Sequence, residues 1–136
     1  MILLWCSIVK IYRLEKHGRL LMARAFIEGE TGKQYPKLLI DTGSAYSICS
    51  QEILEFIGCS PATASKRQRI ITGSGHILVP VGFVDRFSCL GKAVKAFSIL
   101  GHTLPFGVYV DGLLGMDFLG KFDMEIRTKN GEMVVK

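Results

Sequence analysis

The chain has 136 residues, 49% of them hydrophobic and 21% charged, with a mean hydropathy of +0.31. That length fits one domain with a real core, residues 1–136, and the composition excludes intrinsic disorder, a collagen-like fibre, a coiled coil and a low-complexity tail. The net charge of +5 permits attraction to acidic surfaces without requiring nucleic acid, and so apolar a small chain points to surface covered by a second copy of itself.

Met1 to Val9 is almost wholly apolar, yet it has no basic leader and no small-residue cleavage site. Lys10 and Arg13 end the run before it could span a bilayer, so it reads as a strand, and a cytoplasmic location is expected over export. Leu3 to Leu14 forms one predicted strand and Leu20 to Glu28 another, with His17-Gly18 turning between them. Gly29 to Gly32 is the next turn, and Lys37 to Ile40 is a strand that runs directly into Asp41. Ser50 to Ile57 is the first predicted helix: Ser50 caps it, Glu52 sits in the first turn, and Gly58 ends it. Ile53, Leu54 and Ile57 share its buried face.

Arg69 to Val84 reads as two strands around Thr72-Gly73-Ser74-Gly75, and further β structure follows from Phe87 to Leu100. Leu113 to Phe122 starts as a buried strand and ends in a short helix. Met124 to Val135 is a last hairpin with a type I′ turn expected at Asn130-Gly131. Lys66, Arg67 and Arg69 form the one basic cluster, expected to be a solvated strand edge. It lacks an aromatic platform, which argues against a nucleic-acid-binding protein. Cys6, Cys49, Cys59 and Cys89 form no Cys-x-x-Cys pair and read as free thiols; His17, His76 and His102 lie far apart, so neither a metal site nor a cofactor is expected.

Asp41-Thr42-Gly43-Ser44 stands out chemically. A carboxylate placed just past a buried strand is costly unless it is hydrogen-bonded or reactive. Gly43 lets backbone or substrate approach, and Thr42 and Ser44 bring hydroxyls that can fix the carboxylate. One carboxylate can activate water, but peptide hydrolysis also needs a proton donor for the carbonyl oxygen and then for the leaving amine. Two carboxylates sharing one proton meet both needs. Asp85, Asp111, Asp117 and Asp123 lack that sequence context, so the second carboxylate has to come from a second protomer.

Three segments in order carry a family resemblance: Leu38-Leu39-Ile40-Asp41-Thr42-Gly43-Ser44, then Ile71-Thr72-Gly73-Ser74-Gly75, then Asp111-Gly112-Leu113-Leu114-Gly115-Met116-Asp117-Phe118-Leu119. Over about residues 20–128 the chain resembles the single-lobed, retropepsin-like aspartic proteases. The resemblance implies a mainly β, closed barrel with one or two short helices and an obligate homodimer, its active site on the two-fold axis. It implies that the catalytic residues are Asp41, Thr42 and Gly43, with Thr42 bracing the two loops across the interface. Ser44, Ala45, Ile71, Thr72, Gly73, Ser74, Gly75, Leu113 and Leu114 would contact a peptide substrate, residues 72–75 acting as a flap. Of Leu113 and Leu114, one would line a specificity pocket and the other pack the core. Tyr46 is expected to pack and His76 to face solvent.

Two departures qualify the resemblance. Retroviral members pair an acidic residue shortly after the Asp-Thr-Gly with an arginine after the later glycine. Here those places hold Ala45 or Tyr46, and Met116, which points to a cellular rather than a retroviral member, with Asp117 free to cap the short helix. The second departure is the extra N-terminal segment, residues 1–19, which the retroviral core lacks and which leaves the dimer seal open; residues 124–136 form the C-terminal hairpin of the same domain. The competing reading is a catalytically silent module of the same fold that dimerises or binds peptides.

Overall fold

Short apolar runs punctuated by turn residues satisfy their backbone groups best by pairing with one another, and strands dominate accordingly. The computed structural model describes residues 8–60, 64–105 and 109–136, so the first part of the strand expected from Leu3 lies outside the described residues. The chain opens with β1 (Lys10–Arg13), β2 (Glu15–His17), β3 (Leu20–Arg24), β4 (Phe26–Gly29) and β5 (Gly32–Gln34). β6 (Lys37–Ile40), β7 (Ile48–Cys49) and α1 (Gln51–Phe56) follow. The second half holds β8 (Arg67–Thr72), β9 (Gly75–Cys89), β10 (Lys92–Gly101), β11 (Gly112–Leu114), α2 (Met116–Leu119), β12 (Met124–Arg127) and β13 (Glu132–Val135).

The main sheet runs β2-β3-β6-β11-β7-β10-β9-β4-β5, with β8 paired to β9. Its end strands are not paired with each other among the described residues. A small second sheet, β1-β13-β12, ties the N-terminal strand to the C-terminal hairpin.

The expected strand over Leu20 to Glu28 is split at Ala25, because the chain changes partner there: β3 pairs with β6, whereas β4 pairs with β9. The Ala25 N–H meanwhile donates to the Pro36 carbonyl at 2.9 Å. The expected break after Val84 is absent, and β9 continues through Asp85 and Arg86 to Cys89. The turn falls instead at Leu90-Gly91, both with positive φ (53° and 73°). At the C-terminus Arg127 faces Glu132, so the hairpin loop has four residues. Asn130 keeps negative φ while Gly131 alone is left-handed at 66°, and the Gly131 N–H donates to the Arg127 carbonyl. The type I′ turn expected at Asn130-Gly131 is thus replaced by a helical turn closed by glycine.

α1 forms where local chemistry places it. The Ser50 hydroxyl accepts from the Ile53 N–H, Glu52 occupies the first turn, and Leu54 and Ile57 are buried. One apolar core joins both halves of the sheet to the helices. At its centre the Phe87 ring lies 4.7 Å from Phe97 and 5.0 Å from Phe118, inside a wall of Ile27, Leu38 and Leu54. A smaller cluster of Ile48, Val79, Val81 and Leu100 sits at the base of the β8–β9 hairpin, with Ile70, Ile77 and Leu113 packed on it. No described helix is long and apolar enough to cross a membrane.

Candidate active site

The middle of the main sheet delivers Asp41. β6 lies between β3 and β11, parallel to the latter, and the Asp41 N–H extends that ladder by donating to the Leu114 carbonyl at 3.0 Å. The chain then turns: the Gly43 N–H donates to Asp41 Oδ1 at 2.9 Å, and the Ser44 N–H to the Asp41 carbonyl at 3.2 Å. A backbone donor aimed at the carboxylate fixes its orientation.

The first turn of α2 holds this loop from behind. Met116 and Asp117 donate their N–H groups to the Ser44 and Ala45 carbonyls at 2.8 and 3.2 Å. Asp117 does not cap α2, whose first residues follow Gly115 without a side-chain cap. Its carboxylate accepts from the Ser47 N–H at 2.8 Å and the Ser47 hydroxyl at 2.7 Å. Ser47 Oγ in turn accepts from the Gly115 N–H at 3.0 Å. A Cβ on Gly115 would stand 2.5 Å from the Tyr46 carbonyl oxygen, so only glycine lets loop and helix close on each other. The Asp117–Ser47 clasp therefore couples loop and helix in a chain that lacks the acidic–arginine pair of the retroviral members.

Above Asp41 lies a mostly apolar groove of about 800 Å³. Gly43, Ser44 and Ala45 share its floor with Asp41, and Ile71, Thr72 and Ser74 on the β8–β9 hairpin form its roof. Leu113 lines it, whereas Leu114 is fully buried in the core and does not. Thr42 is exposed beside the groove. Gly73 and Gly75 stand at the hairpin tip, with open space where a side chain would be. There the Thr72 hydroxyl accepts from the Ser74 N–H at 3.3 Å and donates to the Gly75 carbonyl at 3.0 Å.

Several groove residues escaped the sequence reading. Tyr46, expected to pack, is 38% exposed and lines the groove. Arg69, expected at a solvated edge, lies in the groove wall, and His102, Leu104 and Pro105 enter from the segment after β10. No local motif marks His102 or Leu104; they reach the groove because β10 pairs in parallel with β7, which continues the Asp41 loop. His76 is exposed outside the groove.

Asp41 is the only carboxylate among the described residues that line the groove. Cys49, directly behind the loop in β7, has its thiol pushed up to about 12 by burial, with the Asp111 charge adding to the effect. It stays protonated at neutral pH and offers no thiolate nucleophile. The chemistry this arrangement allows is an oriented carboxylate on the floor of an apolar, hairpin-covered trough suited to an extended chain.

A sequence profile described as "gag-polyprotein putative aspartyl protease" matches residues 27–121. A retropepsin-like aspartic protease from Rickettsia conorii has a crystal structure that superposes with a TM-score of 0.71, covering 98% of this chain and 96% of that one. At 16% identity that likeness is one of fold. No curated protein matches the chain.

Proposed function

The chain belongs to the gag-polyprotein aspartyl protease family, and on that premise we propose that it is an aspartic endopeptidase working as a homodimer. The observation that carries the reading is the Asp41 carboxylate, oriented by the Gly43 N–H at 2.9 Å and seated in a groove with no second carboxylate among the described residues that line it. Two chains related by a two-fold axis would bring both Asp41 groups to one water, with Thr42 of each chain bracing the opposite loop.

In that site the ionised Asp41 takes a proton from water as its oxygen attacks the peptide carbonyl carbon. The protonated partner gives its proton to the carbonyl oxygen, forming a neutral tetrahedral diol. Proton transfer to the nitrogen then breaks the C–N bond, leaving a carboxylic acid and an amine, with no covalent enzyme intermediate. The hairpin at residues 72–75 acts as the flap, holding the substrate by main-chain hydrogen bonds and excluding water. Because Ile71, Ile77 and Leu113 face the groove, apolar side chains are favoured next to the scissile bond.

The test is cleavage of a diverse peptide mixture by the purified protein, read by mass spectrometry from acidic to neutral pH, beside Asp41→Asn. Cleavage that disappears in the variant is the expected result. Full cleavage by Asp41→Asn would overturn the mechanism, and a folded dimer that cleaves nothing would favour a silent peptide-binding module.

A further inference from the structure

A second cavity of about 490 Å³ adjoins the groove, and Tyr46 lines both. Three lysines line it, Lys66, Lys95 and Lys121, all of them exposed to solvent. They come from distant parts of the chain: the approach to β8, the middle of β10, and the residue that follows α2 and its capping Gly120. None of the three makes an ion pair or a side-chain hydrogen bond among the described residues, although the surface elsewhere pairs Lys37 with Glu15 and Lys136 with Glu125. The one carboxylate in the wall, Asp117, is held by the Ser47 N–H and hydroxyl and is outnumbered three to one by the lysines.

The backbone supplies an independent observation. Ala96, also in this wall, has φ of 51°, a left-handed conformation that alanine disfavours. Its neighbours Lys95 and Phe97 keep their places opposite Arg86 and Val84 on β9. Unfavourable backbone held in place beside a cavity is found where a site imposes it. Three lysines against one carboxylate leave the lining with an excess of positive charge, which a bound anion balances.

We propose that this cavity is a remote substrate subsite that takes an acidic side chain, Asp or Glu, several residues from the scissile bond. The inference rests on the protease reading of the groove and names its substrate class: an extended peptide with apolar residues at the catalytic carboxylate and an acidic residue on the flank that passes Tyr46. The apolar groove supplies contact at the reacting centre, while the lysines supply charge attraction at the flank, where selectivity is gained without crowding Asp41.

The probe is a set of fluorescein-labelled decapeptides with a central apolar pair and Glu, Gln or Lys at the third or fourth residue on either side. Binding to Asp41→Asn protein is followed by fluorescence anisotropy, which needs no cleavage, and kcat/KM of the unmodified chain is measured on the same peptides. The expected result is roughly tenfold tighter binding of a Glu peptide than its Gln counterpart at low salt. That advantage should collapse in 0.5 M salt, an ionic strength at which the Debye length is about 4 Å, and in the combined Lys66→Gln, Lys95→Gln, Lys121→Gln variant, while Gln-peptide binding stays unchanged. Equal affinity for Glu and Gln peptides, or a Glu preference undiminished in the triple variant, overturns the subsite. Glu-selective binding by a chain that cuts none of the peptides keeps the subsite and overturns the protease reading instead.

Discussion

Ser47 is buried beneath the loop that carries Asp41, and every polar atom it brings there has a partner: its N–H and hydroxyl on Asp117, its oxygen receiving the Gly115 N–H. A buried donor left unpaired costs about 1–3 kcal/mol, more when the lost partner is charged. Ser47→Ala removes the hydroxyl and leaves the Gly115 N–H without an acceptor, so a loss of about 2 kcal/mol is expected in urea unfolding. Asp117→Ala strands both the Ser47 N–H and the hydroxyl and is expected to cost about 3 kcal/mol, with Asp117→Asn between it and the native chain. Values within about 0.5 kcal/mol of native for Asp117→Ala would show that the clasp contributes nothing. The buried thiols make a second residue-scale prediction. Burial pushes Cys49 and Cys89 up to about 12, from an ordinary value of 9.0. Below pH 9 both thiols are protonated, folded or unfolded, and their contribution is complete. Between pH 9 and 12 the unfolded chain releases those protons and the folded chain retains them, so stability falls by up to about 1.4 kcal/mol per pH unit per thiol. Thermal unfolding from pH 8 to 11 should therefore drop less steeply in Cys49→Ala and Cys89→Ala than in the native chain, whatever their baseline; parallel curves would contradict the assignment.

At the scale of elements, the β8–β9 hairpin has two ends with different duties. Its base is anchored by Ile70 and Ile77 on the small core of Ile48, Val79, Val81 and Leu100, while its tip is held by the last pairs of the ladder and by hydrogen bonds of the Thr72 hydroxyl. Thr72→Ala should leave stability within about 0.5 kcal/mol of native, because the tip is exposed. In the proposed enzyme it should also lower kcat/KM by roughly tenfold, since closure would no longer be set by the hairpin. A Thr72→Ala chain with unchanged turnover would remove this hairpin from the flap role. Legibility in the sequence followed the same division between local and distant causes. α1 could be read because Ser50, Glu52 and Gly58 carry its signals within nine residues. The Asp41 strand and the β8–β9 turn were readable for the same reason. The split at Ala25 was not, since it records which strands β3 and β4 meet rather than anything in the Leu20 to Glu28 run. Nor was the turn at Leu90-Gly91. Leucine is not a turn residue, yet Leu90 is 8% exposed and packs in the main core, and burial of a leucine side chain, about 2 kcal/mol, offsets the 1–2 kcal/mol cost of its left-handed backbone. Tyr46, Arg69 and His102 reached the groove by packing of the whole sheet, which no local pattern announces.

Among the described residues that line the groove Asp41 is the one carboxylate, so assembly and chemistry are tied together in the proposed enzyme. Each chain carries +5, so in the proposed dimer two copies repel and apolar surface has to supply the attraction; Ile8, Val9 and Ile11, along and before β1, are exposed by 72%, 49% and 54%. Salt then acts with opposite signs at two places. It screens the repulsion between copies and should tighten the proposed dimer in sedimentation velocity, while it weakens attraction of the proposed acidic substrate flank. A shared pair of Asp41 groups makes a sharper demand, which mixing can test. If wild-type and Asp41→Asn chains exchange freely in equal amounts, about a quarter of the dimers carry two aspartates. Activity per total chain should then fall to about a quarter of the wild-type value, against one half if each chain worked alone. The same titration with Asp41→Asn in threefold excess should leave about one sixteenth, so the decline follows the square of the wild-type fraction. A decline that follows the first power would place the whole catalytic apparatus within one chain, and the second carboxylate would have to be sought elsewhere in this sequence.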